Sequence, residues 1–249
     1  MENNQNGDSV VVQGLQKSFG AQTVLNGVSF SLARGEVLSV LGRSGTGKSV
    51  LLRLLIGLDK PDAGSIRMNG LEITRLNGEK LNEARRNIGF LFQQSALYDS
   101  LTLLANVEFP LLRHLKLSKV EPRTRAQELL ASVGLEKDLN KMPAEISGGM
   151  KKRVALARAL ALDPSIVLFD EPTAGLDPIT AAEIGKLIVD LSKQRSMTSI
   201  VVTHDMHAVK YFSDRLILLS EGRIAVNGTF NDLQSSDNDF AKRFLSDSA

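Results

Sequence analysis

A short apolar run, Glu36-Val37-Leu38-Ser39-Val40-Leu41, leads directly into Gly42-Arg43-Ser44-Gly45-Thr46-Gly47-Lys48-Ser49. That junction limits the possible folds more than any other feature. The run is apolar and β-branched enough for a buried strand, and Lys48 to Leu55 reads as a helix that stops near Gly57. The octapeptide matches G-x-x-x-x-G-K-[ST] in full, in the strand-to-helix setting the motif requires. Glycines 42, 45 and 47 let the backbone curl, so the N–H groups from Gly42 through Arg43, Ser44, Gly45, Thr46 and Gly47 can face a polyphosphate. The helix N-terminus adds a favourable dipole. Lys48 can reach the outer phosphates, and the Ser49 hydroxyl is suited to Mg²⁺.

Strand signals recur along the chain. Val10 to Leu15 and Val24 to Leu32 come before the junction; Ser165 to Phe169, Ser199 to Thr203 and Arg215 to Leu219 come late. Apolar strands alternating with helices predict an α/β fold with a mostly parallel sheet covered on both faces. From about Ser95 to Ala161 the pattern turns helical, and Pro122 sits where a helix can begin. The expected organisation is one domain over 1–249. Its α/β core comprises 9–93 and 163–228, a helical insertion covers 94–162, and a tail covers 229–249 with a short helix from Phe240 to Leu245. Residues 1–8 read as a frayed end.

Bulk properties narrow the function. A net charge of +2 without a basic block gives no footprint for nucleic acid. The absence of cysteine excludes disulfides, thiolate zinc sites and a cysteine nucleophile, and suits a reducing compartment. No apolar run approaches the ~18 residues that span a bilayer, and the polar start MENNQNGDS is not a secretory signal. A cytoplasmic location is therefore expected, with any membrane-spanning part on another chain.

The late strand Ile166-Val167-Leu168-Phe169 ends in Asp170-Glu171. Alone, two acids at a strand end suit a solvated turn. Beside a phosphate loop, Asp170 suits the magnesium, and Glu171 can hold and polarise an attacking water. His204 ends the strand Ser199 to Thr203 and is placed to meet a γ-phosphate. His114 and His207 read as structural or merely exposed.

Ile146-Ser147-Gly148-Gly149-Met150, followed by the basic, alanine-rich Lys151 to Ala159, resembles the signature of ABC ATPases. Other elements follow that family's order. Phe19 looks like the aromatic that stacks on adenine, and Gln93 like the Q-loop glutamine, a catalytic and magnesium-facing residue. Ala174-Gly175-Leu176-Asp177 looks like the D-loop, and His204 like the switch histidine. The resemblance implies a P-loop ABC ATPase core with a small antiparallel β subdomain and an inserted helical subdomain. It implies ATP and Mg²⁺, with Glu171, His204, Lys48 and Gln93 as the catalytic set. It also implies a homodimer whose two sites each take Ser147 and Gly149 from the other subunit, with Gly148 and Asp177 also among the nucleotide-binding residues. Met150 departs from the family glutamine and lacks a strong donor, while Ser147 and Gly149 keep theirs.

SGGM with KKRVALARALALDP, LFQQSALYDSLTLLANVEFPL and DEPTAGLDPIT together resemble the ATPases of Mla/Mkl-type systems. Those pair with a permease and an MCE-family lipid-binding protein and move phospholipids. The resemblance thus implies a peripheral subunit on the cytoplasmic face of the inner membrane. An importer ATPase for amino acids or other small solutes has nearly the same motifs and stays open. A soluble, non-transport ABC ATPase usually shows two cassettes or a long coiled coil, and neither is present.

Overall fold

The structure, a computed structural model, describes residues 7–114, 121–206, 209–210 and 213–247. His207, residues 1–6 of the expected frayed end and the last two residues lie outside the described set.

Two sheets form. In the first, β1 (Asp8–Phe19) and β2 (Gln22–Ala33) make an antiparallel hairpin, and β1 also pairs with β4 (Ala63–Met68). β5 (Leu71–Glu72) completes the order β2-β1-β4-β5. This is the small antiparallel subdomain. β1 runs further in both directions than Val10 to Leu15, because Gly14, at φ 57°, lets it bulge and resume.

The second sheet has the order β10-β9-β3-β8-β7-β6. Its members are β3 (Val37–Leu41), β6 (Ile88–Leu91), β7 (Ile166–Asp170), β8 (Thr198–Val202), β9 (Arg215–Ser220) and β10 (Arg223–Gly228). All neighbours are parallel except β10 on β9. The register sets Val40 and Asp170 each beside Val202, so the C-terminal ends of β3, β7 and β8 lie together.

Strand side chains alternate between two buried layers. Val37, Val167, Phe169 and Val201 pack toward α3 (Leu103–Arg113), α4 (Pro122–Ser132), α5 (Gly148–Ala159) and α6 (Pro178–Gln194). Leu38, Val40, Ile166, Leu168, Ile200 and Val202 pack toward α1 (Lys48–Leu55) and the antiparallel sheet. The helix α2 (Gly78–Arg85) leads into β6. The tail forms α7 (Phe230–Gln234) and α8 (Asp239–Ser246), and Leu233, Ala241 and Phe244 bury against Leu41, Leu216 and Leu218. The tail therefore packs on its own core, directly behind the strand that feeds the phosphate loop.

Local chemistry starts the helices of the insertion. Thr102 caps α3 by accepting from the Ala105 amide at 3.2 Å, and Glu121 caps α4 with Pro122 at the first helical position. Asn106, fully buried in α3, accepts from the Tyr98 amide and donates to the carbonyls of Tyr98, Leu101 and Thr102. One amide side chain thus pins the loop before α3 to the helix.

Candidate functional site

β3 delivers the phosphate loop, and the loop is held tightly from below. Gly47 has φ 98°, and a Cβ there would lie 2.9 Å from Leu25 Cδ2 and 3.1 Å from the Val24 carbonyl. A Cβ on Gly42 would meet Thr46 Oγ1 at 2.6 Å and the Leu219 carbonyl at 2.8 Å. Gly45, at φ 81°, faces open space. Thr46 closes the turn by donating its hydroxyl to the Arg43 carbonyl at 2.9 Å. The Ser44 side chain is exposed. The Arg43 guanidinium turns outward and pairs with Asp247, just beyond α8.

Lys48 arches back over this loop. Its ammonium donates to the carbonyls of Gly42 at 2.7 Å and Arg43 at 3.1 Å. Burial pushes its pKa down, while Glu171 and Asp170 push it up. Phosphate oxygens entering the loop are stronger acceptors than these two carbonyls, so the ammonium is placed to transfer to them.

Ser49 Oγ lies 3.3 Å from Asp170 Oδ1, joining the start of α1 to the end of β7. Burial raises the Asp170 carboxyl above its usual range; the Ser49 hydrogen bond opposes this and neighbouring Glu171 adds to it. A hydroxyl and a carboxylate at this spacing are hard oxygen donors, which fits a small divalent cation bound mainly through substrate phosphates.

Glu171 sits just beyond the end of β7 with φ 47°, a left-handed conformation that costs a non-glycine residue about 1–2 kcal/mol. Its amide donates to the Val202 carbonyl at 2.9 Å, and Oε2 meets His204 Nδ1 at 2.8 Å. Glu171 is buried, whereas the His204 side chain is largely exposed. The histidine thus bridges the buried carboxylate and the open side of the site.

Gln93 follows β6. Its backbone joins the site through a residue that the sequence did not single out. Lys152, on α5 and only 4% exposed, donates to the Gln93 carbonyl at 2.5 Å and the Glu171 carbonyl at 3.3 Å. Arg158, further along the same helix, donates to the carbonyls of Ser95 at 2.8 Å and Ala96 at 2.7 Å. Both belong to a helix that reads as simply basic. Their burial arises only when the loop after β6 lies across it.

The remaining residues form a second group. Ser147 caps α5 by accepting from the Met150 amide at 3.2 Å, which leaves its hydroxyl proton available to an acceptor. Gly148 and Gly149 pack against the following loop and α6: a Cβ on Gly149 would lie 2.6 Å from Thr180 Cγ2, and one on Gly148 3.4 Å from Leu176. Asp177 caps α6, accepting from the amides of Ile179 and Thr180 and the Thr180 hydroxyl. Phe19, at the tip of the β1–β2 hairpin, is half exposed, with the Lys17 ammonium 5.2 Å from its ring centre. That hairpin includes Val24 and Leu25, which lie under Gly47, so Phe19 belongs to the same support as the loop.

The family profile described as ABC transporter matches residues 25–174. The protein named probable ribonucleotide transport ATP-binding protein mkl, from Mycobacterium tuberculosis (strain ATCC 25618 / H37Rv), is 43% identical over 239 residues, 96% of this chain and 67% of that protein. Methionine import ATP-binding protein MetN from Brucella abortus (strain 2308) is 42% identical over 219 residues, and the match spans 88% of this chain but only 59% of MetN. Among solved structures, the dimeric ATP-binding cassette MJ0796 in a post-hydrolysis state with ADP and Pi is similar at TM-score 0.80 and 37% identity, covering 88% of this chain and 98% of that one. The cassette cbiO1 of Clostridium perfringens, described as part of the ABC transporter complex cbiONQ, is similar at TM-score 0.84 and 32% identity, covering 96% and 95%.

Proposed function

This chain belongs to the ABC transporter family of ATP-hydrolysing subunits, and we propose that it powers phospholipid transport through a separate membrane permease. The observation that carries the hydrolytic part is the meeting of Lys48, Ser49, Asp170, Glu171 and His204 at the ends of three adjacent parallel strands.

The loop amides and Lys48 bind and orient the phosphates of ATP. The buried Glu171 carboxylate holds the attacking water and accepts its proton, and His204 keeps that carboxylate aimed. Ser49 and Asp170, with Gln93 as a further ligand, would hold Mg²⁺, which when bound would supply charge neutralisation to the phosphates. Catalysis of this kind is positioning and electrostatics.

Ser147, Gly148, Gly149 and Asp177 sit on α5 and the start of α6 and serve the site of a second copy in a head-to-tail dimer. The dimeric cassettes of the same fold support this reading. Phe19 stacks on the adenine.

The permease docks beside the Gln93 loop, where Phe92, Tyr98, Phe109 and Leu112 are exposed and Tyr98 lies 4.9 Å from Phe109. No helix among the described residues is long and apolar enough to cross a membrane. The similarity to ATP-binding subunits of transporters supports a peripheral position on the cytoplasmic face of the inner membrane. Phospholipid as cargo, with an MCE-family protein as a further partner, rests on the resemblance of the signature and Q-loop segments to Mla/Mkl-type ATPases. The similarity to methionine import ATPases favours a second reading, a small-solute importer.

Gentle extraction of the tagged subunit from native membranes, with mass spectrometry of what comes with it, separates these. A permease, an MCE-domain protein and bound phospholipid are expected. A permease with a soluble solute-binding protein establishes the importer instead. Ribosomes or DNA without a membrane protein removes the transporter reading.

A further inference from the structure

We propose that Lys152 is a positioning residue that sets Glu171 for hydrolysis and ties that setting to the Gln93 loop. The inference rests on the hydrolytic reading of Glu171 given above.

A buried ammonium is costly unless its hydrogen bonds are satisfied. This one is 4% exposed and spends them on two backbone carbonyls, those of Gln93 at 2.5 Å and Glu171 at 3.3 Å. Both acceptors belong to residues with assigned roles in the reaction, and Lys152 itself touches no substrate. Burial pushes its pKa below the usual lysine value, and the nearby carboxylates of Asp170 and Glu171 oppose that shift.

Glu171 shows why the contact matters. A left-handed glutamate persists only where its surroundings over-determine it. The amide is held by the Val202 carbonyl, the carboxylate by His204, and the carbonyl by Lys152 at 3.3 Å and by the Ala174 amide at 3.2 Å. Loss of Lys152 leaves that carbonyl held only by the Ala174 amide of the turn that follows, with no tie to α5 or the Gln93 loop, so the peptide after Glu171 loosens and the carboxylate is less firmly aimed. The same ammonium holds the Gln93 carbonyl, and beyond Gln94 Arg158 holds the carbonyls of left-handed Ser95 and Ala96. A displacement of the Gln93 loop is therefore transmitted to α5 and to the Glu171 peptide through one side chain.

The experiment compares the purified full chain with Lys152→Met, which keeps the stem and removes the donors, and Lys152→Gln, which keeps N–H donors. Three quantities are read: turnover, affinity for ATP, and amide hydrogen exchange. In Lys152→Met, kcat falls by about tenfold or more while the Kd for ATP stays within about threefold. Exchange rises in 92–98 and 171–176 and holds steady in 166–169. Lys152→Gln recovers part of the lost rate.

Parental kcat and parental exchange in Lys152→Met overturn the proposal. So does a uniform rise in exchange with an equal loss of ATP binding, which marks a residue that only supports the fold. If Lys152→Met does not fold, Lys152→Gln is judged by the same criteria. A parent chain that binds ATP without hydrolysing it refutes the hydrolytic reading, and the exchange pattern in nucleotide-free protein still decides the linkage.

Discussion

Two residues separate binding from chemistry in this site. Gly47 lies over Val24 and Leu25 with no room for a methyl group, so Gly47→Ala must push the loop away from the hairpin beneath it. Glu171 is different: its carboxylate meets His204 and its backbone is held independently. Replacement by glutamine keeps shape and hydrogen bonding but removes the proposed proton acceptor. It also removes a negative charge beside Asp170, whose carboxyl that charge pushes upward. Glu171→Gln should therefore lower kcat by about 10²–10⁴-fold with little change in ATP affinity. Gly47→Ala should abolish measurable ATP binding. Equilibrium binding with a fluorescent ATP analogue, alongside phosphate release, checks both. Parental turnover in Glu171→Gln would remove this residue as the base.

At the level of elements, helix caps link charge to stability. Asp177 starts α6, and hydrogen bonds from the Thr180 amide first, then from the Thr180 hydroxyl, hold its carboxyl below the usual range. Asp62, Glu121 and Asp232 are lowered in the same sense by comparable bonds. A carboxyl with a depressed folded-state pKa stabilises the fold above its unfolded value, about 3.9 for aspartate, and loses that contribution as pH falls through the folded pKa. Stability should thus erode on the acid side. Asparagine caps a helix nearly as well as aspartate but does not titrate there. Asp177→Asn should therefore show a smaller drop in urea midpoint between pH 7 and about pH 3 than the parent. Equal drops would mean that the cap does not carry the pH dependence. The same local logic explains what was legible in the sequence. β3, β7 and β8 are buried on both faces and read as mainly apolar runs, broken only by Ser39 in β3, Asp170 at the end of β7 and Thr198-Ser199 at the start of β8. β4 and β10 did not declare themselves, because β4 opens on Ala63-Gly64-Ser65 and β10 buries no residue fully. β6 spans only Ile88–Leu91 and was hidden in the approach to Gln93. The motif residues of the phosphate loop and acidic strand were readable because short spacing fixes their geometry. Lys152 and Arg158 were not, because their partners in the loop after β6 lie 59 to 63 residues away and only the fold brings them together.

For the whole molecule, the arrangement of the two functional groups bears on assembly. Lys48 and Ser49 belong with β3 and β7, whereas Ser147 sits at the start of α5, packed beside α6. A γ-phosphate on the loop is served by the signature of a second copy if the proposed head-to-tail dimer forms. Complementation tests this directly. Lys48→Ala removes the loop cation while leaving the signature intact. Ser147→Arg blocks the signature while leaving the loop intact. Each variant alone forms pairs with two defective sites. A mixed pair contains one site with both lesions and one with neither. Mixing the two in equal amounts gives about half mixed pairs if association is random. Each mixed pair keeps one whole site, so the recovered rate should approach a quarter of the parent if the sites fire independently. If hydrolysis requires both sites to close together, recovery falls below that ceiling, and single-turnover measurement on the mixture still finds one phosphate released per mixed pair. A mixture no faster than the faster of the two variants alone in both measurements would place the complete site within one chain, and the head-to-tail assembly would have to be abandoned.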